Sequence, residues 1–278
     1  MTHQSAPSSN GQDRIRIATL NLWGRSGNWP ARRNLLIDGF RRLRPDVVAL
    51  QETITLDGYD QAADVFGPDF QIVHQSVGLI GDGNGIAIAS RWPVGEVREV
   101  DLHLTKRTSD FPCGTVIAEV MAPEPFGPLW FVNHLPNWQL SFEYEREIQT
   151  VAVARVIEGL LSRRNRHVIV AGDLDAEPDA ASIRFWTGKQ SLGGISVCYR
   201  DAWESAHPGE LGHTFTPENP NMTDWDWPFQ RIDYILVRCR QHGGPTLKIA
   251  SCDRIFDEPV NGTWGSDHFG VVADLVVP

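Results

Sequence analysis

The run Arg166-His-Val-Ile-Val-Ala-Gly-Asp173-Leu-Asp175-Ala-Glu177-Pro178 constrains the fold of this chain more than any other stretch. Residues 167–171 are short, apolar and rich in β-branched side chains, which is the pattern of a buried strand. Gly172 ends the run, and three carboxylates follow within five residues. Pro178 stops any ladder and suits the first turn of a helix. Carboxylates just past a buried strand are costly to place unless a cation or a polar substrate meets them. A lone D-x-D reads equally well as a solvated acidic turn, so the rest of the chain has to decide.

The same ending recurs. Residues 14–22 alternate as a strand that finishes at Asn21, residues 46–52 form an apolar run that finishes at Glu52, and residues 129–134 finish at Asn133-His134. Residues 70–76 and 85–90 read as strands about a glycine-rich turn, and 97–104 with 115–121 as a meander on the same sheet. Helices are expected over 29–43, where Pro30 suits the start and Leu35, Leu36, Phe40 and Leu43 form a stripe, and over 141–164, where Ile148, Ala152, Val156 and Leu160 recur. Short helices are expected over 180–186 and 200–206. Residues 213–229 form a proline-bearing loop that holds Trp225 and Trp227, and long ordered loops tend to be functional. Residues 230–237 read as a strand with Asp233 inside it, where a carboxylate needs a partner. Residues 247–251 read as an edge strand, and 270–277 as the last strand, after Gly265-Ser-Asp-His268.

Composition narrows the function classes. The chain has 35 acidic against 25 basic residues and a net charge of -10, which opposes non-specific binding to a polyanion. Cys113, Cys198, Cys239 and Cys252 form no C-x-x-C pair, so neither a zinc site nor a redox motif is indicated, and the expectation is reduced, mostly buried thiols. Residues 1–12 are polar, lack the features of a signal peptide and read as a disordered tail ahead of one domain over 13–278. No apolar run approaches the roughly 18 residues needed to cross a membrane. A cytoplasmic protein is expected, and nothing in the sequence bears on its oligomeric state.

Asn21, Glu52, His134, Asp173, Asp175, Asp233, Asp267 and His268 lie at strand ends or beside strands throughout the chain. Taken in order, Ala18-Thr-Leu-Asn21, Gln51-Glu52, Gly85-Ile-Ala-Ile-Ala-Ser-Arg-Trp-Pro93, Asn133-His134-Leu135, Gly172-Asp-Leu-Asp175, Arg231-Ile-Asp-Tyr-Ile-Leu236 and Ser266-Asp-His268 resemble the endonuclease/exonuclease/phosphatase superfamily. The set covers nearly the whole chain from Arg14. The resemblance implies an α+β fold: two packed, mostly antiparallel β-sheets flanked by helices, a four-layer αββα sandwich with its active site at one edge. It also implies a Mg²⁺ (or Mn²⁺) cofactor held mainly by Glu52, with Asn21 and Asp267 nearby. Mg²⁺ is a hard cation that keeps several waters and takes few carboxylates. In this reading Asp173 orients or deprotonates the attacking water. Asp233 holds His268 as an imidazolium, and His268 and His134 face the phosphate.

Two departures from the superfamily pattern matter. Asp175 stands where the superfamily commonly has Asn, and an ionised Asp can only accept hydrogen bonds. It could bind a second metal, stay protonated or meet a substrate hydroxyl. Trp23 stands where some members place an acidic metal contact, so one metal is the default and a second is left open. Candidate substrate contacts are Asn137, Arg231, Trp225 and Trp227. The expected substrate is a small or medium phosphate ester, mono- or diester, cleaved by metal-assisted attack of water. Basic groups near the motifs, Lys106, Arg107 and Lys189, suffice for one phosphate, and a tryptophan rim including Trp138 and Trp264 suits a compact ligand. The alternative is a nuclease acting on DNA or RNA. A non-catalytic binding relative would be expected to have lost some of Glu52, His134, Asp173, Asp233 or His268, and all are present. A serine-hydrolase reading of Gly265-Ser-Asp-His268 fails, because adjacent residues on one turn cannot form a triad.

Overall fold

The computed structural model describes residues 14–222 and 230–278 and places the alternating strands in two sheets. The tail expected over 1–12, and Trp225 and Trp227, lie outside the described residues. The first half of the chain forms β1 (Ile15–Asn21), α1 (Trp29–Leu43), β2 (Val47–Leu56), β3 (Tyr59–Asp60), α2 (Gln61–Phe66), β4 (Gln71–His74), β5 (Asn84–Ser90), β6 (Val94–Asp101), β7 (Gly114–Val120) and β8 (Leu129–Leu135). The second half forms α3 (Glu143–Leu161), β9 (His167–Asp173), α4 (Ala181–Trp186), β10 (Tyr199–Asp201), α5 (Ala202–Ala206), β11 (Asp233–Arg238), β12 (Lys248–Ile255) and β13 (Gly270–Val276).

One sheet runs β12-β13-β1-β2-β5-β4, with β3 attached to β2; the other runs β10-β11-β9-β8-β7-β6. Each contains one parallel pair, β1 with β2 and β8 with β9. Parallel neighbours need a long crossover, and α1 and α3 supply it, so each sheet receives a helix on its outer face. Asn28 accepts from the Ala31 N–H at the start of α1, and Arg44, left-handed at φ 53°, closes its end before Pro45.

The period-two pleat separates three apolar layers. Ile15, Ile17, Val47, Ala49, Phe131, Ile169, Ala171, Ile235 and Ala273 meet between the sheets. Their outward neighbours Ala18, Leu20, Val48 and Leu50 meet Leu36 and Phe40 of α1. Val132, Val168 and Val170 meet Val153 and Ile157 of α3. The expected four-layer sandwich is therefore what the chain forms.

Several sequence expectations shift. The segments expected as one meander divide: β4 and β5 belong to the first sheet, β6 and β7 to the second. The chain changes sheet at Trp92-Pro93, where alternation alone gives no sign of it. Strand β11 begins at Asp233 rather than enclosing it. Residues 199–201 pair as β10 before a helix of only five residues. Helix α3 buries Arg146, Gln149, Thr150, Val153, Ile157 and Leu160, while Ile148 and Ala152 are only partly covered. Its first turns are polar inside because Gln149 donates to Asn137 Oδ1 (2.7 Å) and Arg146 to the carbonyls of Asn137 (2.8 Å) and Gln139 (2.9 Å), fixing the chain after β8. No helix among the described residues is long and apolar enough to cross a membrane.

Candidate active site

The apolar layer between the sheets turns polar at one end, on the same inward-facing pleat positions. Beyond Ile17 and Ala49 come Thr19, Gln51 and Asn133, all buried. Gln51 donates to Asn133 Oδ1 across the sheets at 2.7 Å, and Asn133 donates to the carbonyls of Leu50 and Ala87 at 2.9 Å. This bridge fixes the separation of the sheets where the next residues, Glu52 and His134, are delivered. One further pleat brings Asn21, Asp173 and Asp233 to the rim, with Asp233 opposite Asp173 in the β11–β9 register.

The carboxylates are held in unusual ways. Glu52 has φ 51° at an irregularity in the β2–β5 pairing, and Asp175 has φ 50°. Left-handed backbone at a non-glycine residue is costly and clusters at functional sites. The Asn21 amide donates to Glu52 Oε1 (3.1 Å) and to Asp173 Oδ2 (3.0 Å), while its oxygen accepts from the Trp23 N–H at 2.9 Å. The Trp23 contact fixes the amide's orientation, so Asn21 bridges two carboxylates with its nitrogen and turns its oxygen away from them. Asp173 Oδ1 accepts from the Asp175 N–H at 3.1 Å. Gly172, at φ 151°, touches His134 so closely that a Cβ would lie 2.1 Å from the His134 oxygen, which makes glycine obligatory there.

His268 Nδ1 lies 3.0 Å from Asp233 Oδ2 and 3.8 Å from Asp173 Oδ2, with its ring against Phe215. Burial opposes the imidazolium, but Asp233 and Asp173 outweigh burial and hold the His268 pKa well above its usual value. His134 behaves oppositely: burial drives its pKa down to about 3, so the ring is neutral at physiological pH. Its Nδ1 meets Thr115 Oγ1 at 2.7 Å, and its Nε2 is buried without a partner. Asp175 Oδ2 and Asp233 Oδ1 are also buried and unpartnered. Orphaned buried polar atoms gathered at one end of a fold mark a place for a ligand.

Burial and Asp233 raise the Asp173 pKa to about 7, and burial raises that of Asp267 to about 6. Burial also raises Glu52, and burial with Asp173 raises Asp175 well above its usual value. So much negative charge held at one rim fits a divalent cation. Among the described residues, Asp173, Asp233 and His268 have ligand atoms all within 4.8 Å of one another. The His268 nitrogen that faces Asp233 carries a proton, however, and cannot ligate. Oxygens of Glu52 and Asp267 remain the better donors for a hard cation.

These shifts have a sign. Each raised carboxyl binds its proton more tightly in the folded chain. Its stabilisation is whole below the ordinary carboxylate range, near pH 4, and is lost as pH rises through about 6 for Asp267 and about 7 for Asp173. His268, also raised, acts in the same direction, whereas the depressed His134 affects only pH values below its ordinary one. The cation-free protein should therefore lose Tm between about pH 5 and pH 7, and Mg²⁺ should restore it most at the higher pH. Thermal melts with and without chelator check this. A Tm that is flat, or rises over that range, would contradict the carboxylate cluster.

The remaining sequence candidates are placed elsewhere or differently. Asn137 is buried, its oxygen taken by Gln149 and its amide near Gln139 Oε1 at 3.3 Å. Arg231 donates to Asp201 Oδ2 at 2.6 Å and stacks on Tyr234, so its charge is committed within the protein. Arg107 pairs with Glu145 and stacks on Phe142; Lys106 and Lys189 are exposed. Trp264 stacks on Phe269.

Two supports escaped sequence reading. Arg32 is buried on α1, lies over Trp23 and Trp29, and donates to the carbonyls of Leu22, Ser26 (2.7 Å) and Gly265 (3.0 Å), tying the Glu52 side of the rim to the loop of Asp267. Its place four residues before Leu36 and eight before Phe40, on the same helical stripe, was the available signal. Ser266, part of a motif but given no role there, donates its hydroxyl hydrogen to the Asn21 carbonyl at 2.7 Å, with Asp267 Oδ1 3.1 Å away.

The model of the Endonuclease/Exonuclease/phosphatase family matches residues 18–268. No curated protein matches the chain significantly. Among solved structures, TDP2 of D. rerio complexed with single strand DNA product is 22% identical, with a TM-score of 0.76 over 95% of this chain and 99% of that one. Truncated TDP2 of Caenorhabditis elegans is 16% identical, with a TM-score of 0.75 over 95% of this chain and 98% of that one. The human Nocturnin catalytic domain with bound sulfate anion is 16% identical, with a TM-score of 0.70 over 97% of each chain. At these identities the likeness is one of fold.

Proposed function

The chain belongs to the endonuclease/exonuclease/phosphatase family, and from that premise we propose that it is a Mg²⁺- or Mn²⁺-dependent phosphoesterase that hydrolyses a small or medium phosphate ester by attack of water. The observation that carries this reading is the rim itself: Asp173, Asp233 and His268 in contact beside Glu52 and Asp267, with His134 Nε2 unpartnered among them.

Glu52 and Asp267 would hold the cation, with Asn21 positioning Glu52 and Asp173 through its amide. When bound, a divalent cation polarises a phosphoryl oxygen and neutralises developing charge. Asp173 accepts the proton of the attacking water, for which a pKa raised to about 7 is well matched. Asp233 holds His268 protonated through Nδ1, leaving the other face of the imidazolium for a phosphate oxygen. With Thr115 donating to Nδ1, neutral His134 presents its Nε2 as a second donor.

Asp175 is the residue on which substrate choice would turn. Its orphaned Oδ2 would accept a substrate hydroxyl. Asp175→Asn, nearly isosteric, should then lower kcat/KM on the native substrate by about tenfold, the value of roughly one hydrogen bond. Steady-state kinetics check this; unchanged or higher activity would make Asp175 a tolerated replacement.

The net charge of -10 and the internal pairing of Arg107 and Arg231 favour a compact ester over a duplex. The second reading, a nuclease acting on single strands, draws its support from the fold neighbour complexed with single strand DNA product. Turnover on a panel of phosphorylated metabolites beside single-stranded and plasmid DNA and RNA, with Mg²⁺ and Mn²⁺, separates the two. Duplex affinity should be no tighter than about 10⁻⁴ to 10⁻⁶ M at physiological salt. Sub-micromolar binding with efficient nicking would put the nuclease reading first. We place the protein in the cytoplasm, a reducing compartment that suits its four free thiols in the absence of an oxidant.

A further inference from the structure

At the end of the sandwich opposite the carboxylates lies a cavity of about 1090 Å³, whose lining includes Arg166, Arg238, Arg240, Cys198 and Cys239. The two cysteines face each other. β10 and β11 pair antiparallel with Tyr199 opposite Arg238, so the next rung sets Cys198 opposite Cys239. That rung is closed by the Cys239 N–H, which donates to the Cys198 carbonyl at 2.8 Å. Residues directly opposite in a hydrogen-bonded antiparallel pair have Cα atoms about 5.5 Å apart. That lies inside the roughly 4.4–6.8 Å window of disulfides. Both thiols are free, Cys198 exposed and Cys239 half-buried.

The surroundings suit the pair. Gly188 sits beside Cys198, where a Cβ would come within 3.0 Å of Sγ, so the glycine leaves room for the sulfur. Burial, with the Cys198 side chain alongside, pushes the Cys239 thiol up to about 11, while Arg200 and Arg238 favour its thiolate. Cys113 and Cys252 are both buried, and burial pushes the Cys113 thiol up to about 12.

We propose that Cys198 and Cys239 are a reversible modification site that closes to an intrachain disulfide when a hydroperoxide is the oxidant. The Cys198 thiolate attacks a peroxide oxygen, the O–O bond breaks, and Cys198 becomes a sulfenic acid while water or an alcohol leaves. The Cys239 sulfur then attacks the Cys198 sulfur; the S–O bond breaks and water leaves. The two thiols give up two electrons and two protons, and the peroxide is reduced. A thiol reductant reverses the closure by exchange.

The bond would close a loop that carries α5, the Arg231–Asp201 ion pair and Asp233 at its far side. Closing a loop of roughly 40 residues constrains the unfolded chain and should raise Tm by about 5–10 °C in a domain of this size. Asp233 lies six residues before Cys239 along β11, about 20 Å away. Turnover should therefore stay within about twofold, well below the effect of losing a catalytic group.

The test treats the purified full chain with hydrogen peroxide. It measures free thiols, maps peptides without reduction, and records melting curves before and after dithiothreitol. Expected are a Cys198–Cys239 cross-linked peptide, loss of two thiols, and a Tm gain that dithiothreitol abolishes. Cys198→Ser and Cys239→Ser should each remove the cross-link and the gain, while Cys113→Ser keeps both. Oxidation of Cys198 to sulfinic acid without a cross-link, disulfides only between chains, or a cross-link that leaves Tm unchanged would each overturn the proposal.

Discussion

Asp173→Asn is expected to lower kcat by about 10² to 10⁴, the range for a lost acid–base or charge-stabilising group. The side chain is nearly isosteric, and its single amide oxygen can keep one of the two accepted contacts, that from the Asn21 amide at 3.0 Å or that from the Asp175 N–H at 3.1 Å. What disappears is the negative charge 3.8 Å from His268 Nδ1 and the capacity to accept a proton from water. Asp173 is buried among other carboxyls, so removing its charge should also raise the Tm of the cation-free protein above about pH 7. Loss of kcat with a gain in Tm cannot be attributed to misfolding. His268→Ala, His134→Ala and Asp233→Asn should fall in the same range, Asp233→Asn by letting the imidazole turn and lose its proton. Two of these four variants retaining near-wild-type rates, with normal melts, would show that the residue roles are misassigned.

Chelation is expected to have an effect at least as large. Removing divalent cations should take turnover down by about 10³-fold or more, since Lewis-acid stabilisation contributes several kcal/mol. No described side chain stands ready to substitute. Arg32 spends its N–H groups on the carbonyls of Leu22, Ser26 and Gly265, and Arg146 on Glu143 and the carbonyls of Asn137 and Gln139. His268 is already engaged by Asp233. Mg²⁺ or Mn²⁺ should restore the rate. The fold itself should persist without cation, because three apolar layers form independently of the rim. Full turnover in chelator would remove the metal from the account.

What the sequence made legible follows from period and position. Alternation assigned β1 and apolar runs assigned β2, β8 and β9, and the pleat carried their polar ends to one rim because it cannot put Asn21, Gln51 and Asp173 anywhere but on the face of Ile17, Ala49 and Ala171. The sheet to which β6 and β7 belong was not legible, since alternation is the same on either sheet and only pairing decides it. Arg231 looked like a substrate contact because it lies two residues from Asp233 in a motif, yet β11 begins only at Asp233, and Arg231, ahead of the strand, meets Asp201 instead. The orientation of Asn21 depended on the Trp23 N–H, a backbone donor that no side-chain pattern reveals. Arg32 was hidden by its charge, which suggests solvent, although its helical spacing set it one turn from Trp29, over whose ring it lies.

The claim that this rim hydrolyses phosphate esters with water is tested most directly in water enriched in the heavy oxygen isotope. The wild type and Asp173→Asn are purified side by side and given Mg²⁺ and the ester panel. Mass spectrometry reads where the label goes. The account predicts hydrolysis of at least one ester by the wild type, with the label in the phosphate product and a rate for Asp173→Asn lower by about 10² or more. Equal rates for the two proteins, no ester hydrolysed, or label carried by the alcohol would contradict it.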